Sequence, residues 1–308
     1  MITFKPVDQS RLIRRLEPPT GPVSMVLDTD TFNEVDDQFA LAYSLLSQDR
    51  LMVEAVYAAP FCNERAATPF EGMEKSYAEI LRLLEKMKLG AENFVFKGAS
   101  DYLGETPAAT PATRDLIARA HCHSEENPLY VVAIGAITNV ATAILLDPTI
   151  IDSIHVVWLG GNPLGYPTTV EFNLMQDLPA VRTVLDCGVP LTIIPCMGVA
   201  SHMLSTAPDV QAHLKGRNDL CDTLVELYTA YTKNHFGWAK EIWDIAPIAY
   251  LINPEWVPTK LEHSPLLTDD CHWARDERRH MIRMAYFAFR TPIFRDMFQK
   301  LGAPEVHA

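Results

Sequence analysis

The stretch LDTDTFNEVDDQFAL, residues 27–41, holds five carboxylates: Asp28, Asp30, Glu34, Asp36 and Asp37. Apolar sequence flanks them on both sides. Carboxylates are costly to bury without partners, and close like charges drive one another toward the protonated form. No Lys or Arg lies within the loop to offset them. Glu34 fits a solvated acid near a helix N-terminus, where it complements the macrodipole. Asp28 and Asp30 do not, because they sit where a buried strand ends. A hard cation resolves the conflict, since calcium accepts many oxygens and mixes carboxylates, carbonyls and water freely. The spacing does not match the EF-hand loop.

Such acids need elements that carry distant segments to one place. SMVLD, MVEAVYAAP, FVFKG, LYVVAIG, IHVVWLGG and PLTIIPC read as buried strands. VDDQFALAYSLLS, GMEKSYAEILRLLEKMKL, PATRDLIARAH, NVATAILLD and LPAVRTVLDCG read as helices with apolar residues at helical spacing. Their alternation predicts an α/β fold, an open, mostly parallel sheet with helices on both faces. Beyond Pro208 the pattern turns helical, which predicts a helical C-terminal elaboration ending in RTPIFRDMFQKL. No Gly/Ser linker, low-complexity tract or repeat interrupts the chain, so residues 1–308 read as one domain with 1–21 as an N-terminal arm.

Open parallel sheets gather ligands at the carboxyl ends of their strands. Polar residues follow several apolar runs: Asp28 and Asp30, Cys62-Asn63, Gly135 to Asn139, and Asn162. Their coincidence is more informative than any one of them.

Composition narrows the ligand. The chain has 308 residues, 48% hydrophobic, and a formal net charge of −13. No basic run could follow a nucleic-acid backbone, so a cation or neutral small molecule is the easier partner. The N-terminal 19 residues lack a continuous apolar h-region and no apolar segment is long enough for a bilayer. The expectation is a cytoplasmic protein with no membrane span. The six cysteines, Cys62, Cys122, Cys187, Cys196, Cys221 and Cys271, form no CxxC pair and read as reduced, mostly buried thiols. His121-Cys122-His123 reads as a polar helix end rather than a metal site, since nothing nearby completes a ligand set.

DTDTFNEVDD resembles the N-terminal signature of the nucleoside hydrolases, in which DxD, a short turn and DD hold a calcium ion. VVAIGAITNVATAI (131–144) is similar to the family's GPLTN segment, VEFNLMQDLPA (170–180) to its EFN-plus-acid motif, and WDIAPIA (243–249) to its closing HD or WD segment. Each is short; the four occur in the family's order. The resemblance implies a Rossmann-like nucleoside hydrolase fold and calcium-dependent hydrolysis of ribonucleosides to ribose and base. It implies calcium oxygens from Asp30, Asp37, the Thr138 carbonyl and Asp244, with Asp30 also taking a proton from the metal-bound water. Asp36, Glu171 and Asn173, with Asp244 beside them, would hold ribose. Asp28 would support the site, and the assembly would be a homodimer or homotetramer.

The residues themselves bear on these roles. Strand alternation would make Phe172 a core anchor, with Glu171 and Asn173 pointing the other way. Asp244 also suits the N-cap of DIAPIAYLI. Trp243 stands where many members have a His that protonates the base. It resembles the purine-preferring branch, in which an indole stacks on the base, and purines are favoured on that ground. Trp238 and His235 are further candidates for base contacts.

Three further departures stand out. Thr31 to Val35 is two residues longer than the family's turn and has no Gly, which could push Phe32, Asn33 or Glu34 toward the substrate. Gly165 falls where the family has Gly-Asn, leaving Asn162 as a substitute for the sugar 5′ contact, with Asn63 a second sugar candidate. IIPCMGVASH has no acid at its strand end. Three rivals follow: a hydrolase of another N-ribosyl compound, a non-catalytic ribose- or nucleoside-binding protein, and a calcium-stabilised structural protein.

Overall fold

The structure, a computed structural model, describes residues 4 and 6–303. Six strands follow the expected apolar runs: β1 (Val23–Thr29), β2 (Leu51–Ala58), β3 (Val95–Lys97), β4 (Leu129–Ala133), β5 (Ile154–Leu159) and β6 (Leu191–Ile194). Later come β7 (Leu204–Ser205) and β8 (Lys240–Glu241), a two-residue ribbon; β9 (Thr259–His263); the ribbon β10 (Leu266–Leu267) and β11 (Trp273–Ala274); and β12 (Met281–Ala285). The central sheet runs β3-β2-β1-β4-β5-β6-β12-β9, parallel throughout except β9 against β12.

The helices are α1 (Gln9–Arg15), α2 (Asp37–Leu45), α3 (Pro69–Lys86), α4 (Pro111–Ala120), α5 (Thr138–Leu146), α6 (Phe172–Gln176), α7 (Leu178–Asp186), α8 (Ala207–Leu214), α9 (Asp219–Ala230), α10 (Ile245–Ile252) and α11 (Arg290–Leu301). Strand alternation builds a core on each face. Met25 and Leu27 of β1 pack with α2, α3, α9, α10 and α11, whereas Val26 between them packs with α4, α5 and α7. Burial on both faces explains why the strands read as continuous apolar runs.

The C-terminal third departs from expectation. It is not only a helical elaboration, because β9 and β12 complete the sheet. TKLEH and MIRMA are short and interrupted by charge, so neither carries a strand pattern. Arg283, buried in mid-β12, shows how the charge is tolerated. Its guanidinium donates to the Leu16 carbonyl and, at 3.1 Å, to Thr259 Oγ1. Leu12 and Leu16 are buried, so the described part of the N-terminal arm lies docked.

All six cysteines are free; Cys122 is exposed, Cys62 half-buried and the other four buried. His121 and His123 pair separately with Asp147 and Glu54. Among the described residues, no helix is long and apolar enough to cross a membrane.

Candidate active site

The strand order reverses between β1 and β4, which makes the crevice beyond their carboxyl ends the place where such a sheet binds ligands. β1 leads into Asp28, Thr29 and Asp30. Asp28 accepts from Asn139 Nδ2 at 2.7 Å, while Asn139 Oδ1 accepts from the Ala99 amide at 2.8 Å. Its second oxygen is buried without a partner among the described residues. Burial pushes Asp28 up to about 7, against the Asn139 hydrogen bond.

Asp30 stands beyond the strand end, facing Gly135. A Cβ at Gly135 would lie 3.0 Å from Asp30 Cγ, so the glycine after β4 is what lets the acid occupy this place. The lengthened turn folds back at once, with the Asn33 amide donating to the Asp30 carbonyl at 2.7 Å. Asp36 then precedes α2 and Asp37 opens it; Asp37 accepts from Thr29 Oγ1 at 2.5 Å. Asp244 arrives from the start of α10. The capping role its position suggests is not what its side chain does: it makes no cap hydrogen bond and faces Asp36 instead.

Carboxylate oxygens of Asp36, Asp37 and Asp244 lie within 4.8 Å of one another, and Asp30 stands against Asp37. All four are buried. Burial first, then the neighbouring aspartates, pushes Asp30, Asp37 and Asp244 well above the usual carboxylate range. Asp36 rises to about 6 by burial, opposed by the charge of Lys240. Asp30 Oδ2 is buried with no partner among the described residues. A clustered, donor-poor set of oxygens is what a hard divalent cation requires. The structure gathers Asp36 with Asp37 and Asp244, whereas the sequence placed Asp36 on ribose alone. Thr138 Oγ1 donates to Asp177 at 2.7 Å, so its side chain is committed elsewhere.

A cavity of about 250 Å³ opens over these acids. Asp30, Asp36, Asp37 and Asp244 share it with Asn162, Glu171, Asn173 and Trp243. Asp28, Asn63, Thr138, Trp238 and His235 are not in its wall. Trp238 lies instead among Tyr228, Tyr231 and His235.

Several of these side chains are engaged by the fold. Glu171 is the N-cap of α6 and accepts from the amides of Gly161 (2.8 Å), Asn173 (2.9 Å) and Leu174 (3.0 Å). Residues 172–176 are therefore helix, and strand alternation does not apply. Leu174 is the core anchor; Phe172 is half-buried and lines the cavity. Asn173 Nδ2 donates to the carbonyls of Ile134 and Leu159, which leaves Oδ1 for a ligand. Asn162 donates to the carbonyls of Thr168 and Val170 and accepts from the Met197 amide, so its amide is spent on loop structure. Asn63 donates to Asn33 Oδ1 at 2.7 Å; Asn33, not Asn63, reaches the cavity.

Glu34 is no helix-capping acid. It lines the cavity, forms an ion pair with Lys240 of β8 and accepts from Tyr231 Oη at 3.2 Å. Sequence reasoning missed Lys240 and Tyr231. The available signal was Glu34 itself, an acid in a crowded loop with no local cation, which called for a distant one.

Comparison with known proteins agrees with this architecture. Residues 25–285 match a family model described as inosine-uridine preferring nucleoside hydrolase. The pyrimidine-specific ribonucleoside hydrolase RihB of Escherichia coli O1:K1 is 28% identical over 146 residues, covering 44% of this chain and 46% of that protein. The chain spans about half the length of the curated relatives it matches. Among solved structures, the plant nucleoside hydrolase PpNRh1 superposes with a TM-score of 0.70 at 18% identity, over 92% of this chain and 100% of that one. The purine-preferring ribonucleoside hydrolase from Gardnerella vaginalis gives 0.66 at 19%, over 91% and 98%. These likenesses show the fold.

Proposed function

We infer that this chain, which belongs to the inosine-uridine preferring nucleoside hydrolase family, splits the N-glycosidic bond of ribonucleosides into ribose and free base. The observation that carries the reading is the convergence of four buried, mutually repelling aspartates on one small cavity with an indole in its wall. Asp30, Asp37 and Asp244, with the Thr138 carbonyl, would hold calcium, and Asp36 is close enough to join them. When bound, the ion offsets the clustered charge and supplies a Lewis acid toward water.

The protein groups do the rest. Asp36 and Asn173 Oδ1 accept from the ribose hydroxyls. The cavity carboxylates stabilise the positive charge that develops on the sugar as the bond breaks. Asp30 takes a proton from the attacking water. Glu171 keeps its backbone bonds and shapes the sugar wall. Trp243 stacks on the base, which supports purines; the pyrimidine-specific RihB relatives support the opposite preference.

The test is base release from a panel of purine and pyrimidine ribonucleosides, with calcium and after chelation. Turnover with calcium and its loss on chelation are the expected results. No turnover of any ribonucleoside at high enzyme concentration with calcium present overturns the reading. A second reading, hydrolysis of another N-riboside, is favoured by the commitment of Asn162 to the loop and by the Glu34–Lys240 pair at the wall. A broader N-riboside panel separates the two.

A further inference from the structure

We propose that the Lys240 ammonium, held by Glu34, is the group that meets the negative charge of the departing base; this rests on the hydrolase reading above. Heterolysis of the bond between C1′ and the base nitrogen leaves its electron pair on the base. That charge develops beside a cavity rich in carboxylates. Trp243, at the position before Asp244, has only an indole N–H and no readily transferable proton. A buried cation close by is therefore the natural electrostatic partner.

The geometry puts Lys240 in reach. Its side chain is about 10% exposed and pairs with Glu34, which lines the cavity. Its Nζ lies 5.9 Å from the ring centroid of Trp243, which is in the cavity wall, and 5.1 Å from that of Tyr231, which is behind it and outside the wall. Glu34 is the one hydrogen-bond acceptor of that ammonium among the described residues, so two of its three N–H groups remain for a ligand. The backbone beneath is fixed. Lys240 is in register with Ser205 across the ribbon, its carbonyl accepts from Tyr228 Oη at 2.9 Å, and its amide donates back at 3.3 Å.

Glu34 makes the arrangement tolerable. An unpaired ammonium in a buried place is costly, and the ion pair removes that cost in the resting protein. As charge gathers on the base, the ammonium is shared between Glu34 and an acceptor on the base, a ring nitrogen or exocyclic oxygen. The step balances. The water oxygen bonds to C1′ while the C1′–N bond breaks, and its electron pair goes to the base. Asp30 takes the water proton and later returns it to solvent. The base anion is held by hydrogen bonds from Lys240 until it takes a proton from solvent, so the net reaction consumes one water. Lys240 donates a hydrogen bond and keeps its proton.

The experiment compares a ribonucleoside with 4-nitrophenyl β-D-ribofuranoside, whose nitrophenolate departs without help. Lys240→Met should lower kcat/KM on the nucleoside by about 100-fold or more, the scale of a lost charge-stabilising donor, and change the nitrophenyl riboside less than about threefold. Lys240→Arg should restore about tenfold or more of the nucleoside rate. Equal losses on both substrates, or no loss on the nucleoside, overturn the proposal. If Lys240→Met does not fold by circular dichroism, Glu34→Gln carries the test, with a nucleoside-selective loss of about tenfold expected and an equal loss on both substrates overturning it. Wild-type protein that cleaves neither substrate overturns the hydrolase reading itself. Wild-type protein that cleaves both, with variants unaffected, overturns only the role of Lys240.

Discussion

Two groups of acids sit near one another in this protein and behave oppositely. On the α6–α7 side, Glu171 and Asp177 meet donors at every oxygen. Glu171 takes three backbone amides. Asp177 takes the Leu103 and Ala180 amides, at 2.8 and 3.0 Å, and the Thr138 hydroxyl. On the β1–α10 side, Asp30, Asp36, Asp37 and Asp244 mostly face one another, and Asp30 keeps an orphaned oxygen. All six are carboxylates, five of them buried and Glu171 half-buried. The supply of donors differs; on the reading proposed above, it separates acids that hold the fold from acids that hold a ligand.

The sharpest way to break this comparison is Asp30→Asn. An amide cannot accept the water proton, so turnover should fall about a thousandfold or more, while the metal-free protein stays folded and melts no lower than wild type. Kinetics and a melting curve of the same sample check both halves. A lower melting temperature with activity retained would place Asp30 with the structural acids. The converse substitution is Asp177→Ala. It orphans three donors and removes the N-cap of α7, and should cost about 2–3 kcal/mol in denaturant unfolding. Activity per folded molecule should fall far less than in Asp30→Asn.

Stability should also depend on pH. Burial holds Asp28 near 7 and Asp36 near 6, above the ordinary carboxylate value of about 4 in an unfolded chain. Between those limits the folded protein keeps protons that the unfolded chain has lost. Metal-free protein should therefore lose stability as pH rises from about 4 to about 7, and calcium should flatten that decline. Melting temperatures across this range, with and without calcium, are the measurement. A metal-free protein that gains stability through the same window would contradict the charge balance described for the cluster.

The sequence discloses the parts of this molecule whose causes are local. Mostly apolar runs mark β1 to β6, and apolar spacing marks α3, α5 and α7. The acids of 27–41 announce their conflict directly. β9 and β12 stay hidden because Arg283 and its flanking charges mask a strand whose burial depends on the distant Leu16 carbonyl. Asn162 is legible as a polar residue near a strand end, and Glu171 through the resemblance of its segment to the family's EFN motif. Their engagement is not, since the groups they bond, Met197 and Gly161 among them, are brought to them only by the folded loops. Lys240 lies in a ribbon of two residues, too short for any periodic signal, and its partner is 206 positions away.

The ion pair between Glu34 and Lys240 also sets how this turn can be moved between proteins. Residues 32–35 look like a self-contained insertion, ready to be grafted onto a shorter loop. They are half of a unit whose other half is β8, with Tyr231 and Tyr228 as its setting. A graft of the turn alone would import an acid into an already acidic wall with nothing to neutralise it. Exchange of this loop among related proteins should succeed only when position 240 and the ribbon that aims it are exchanged together.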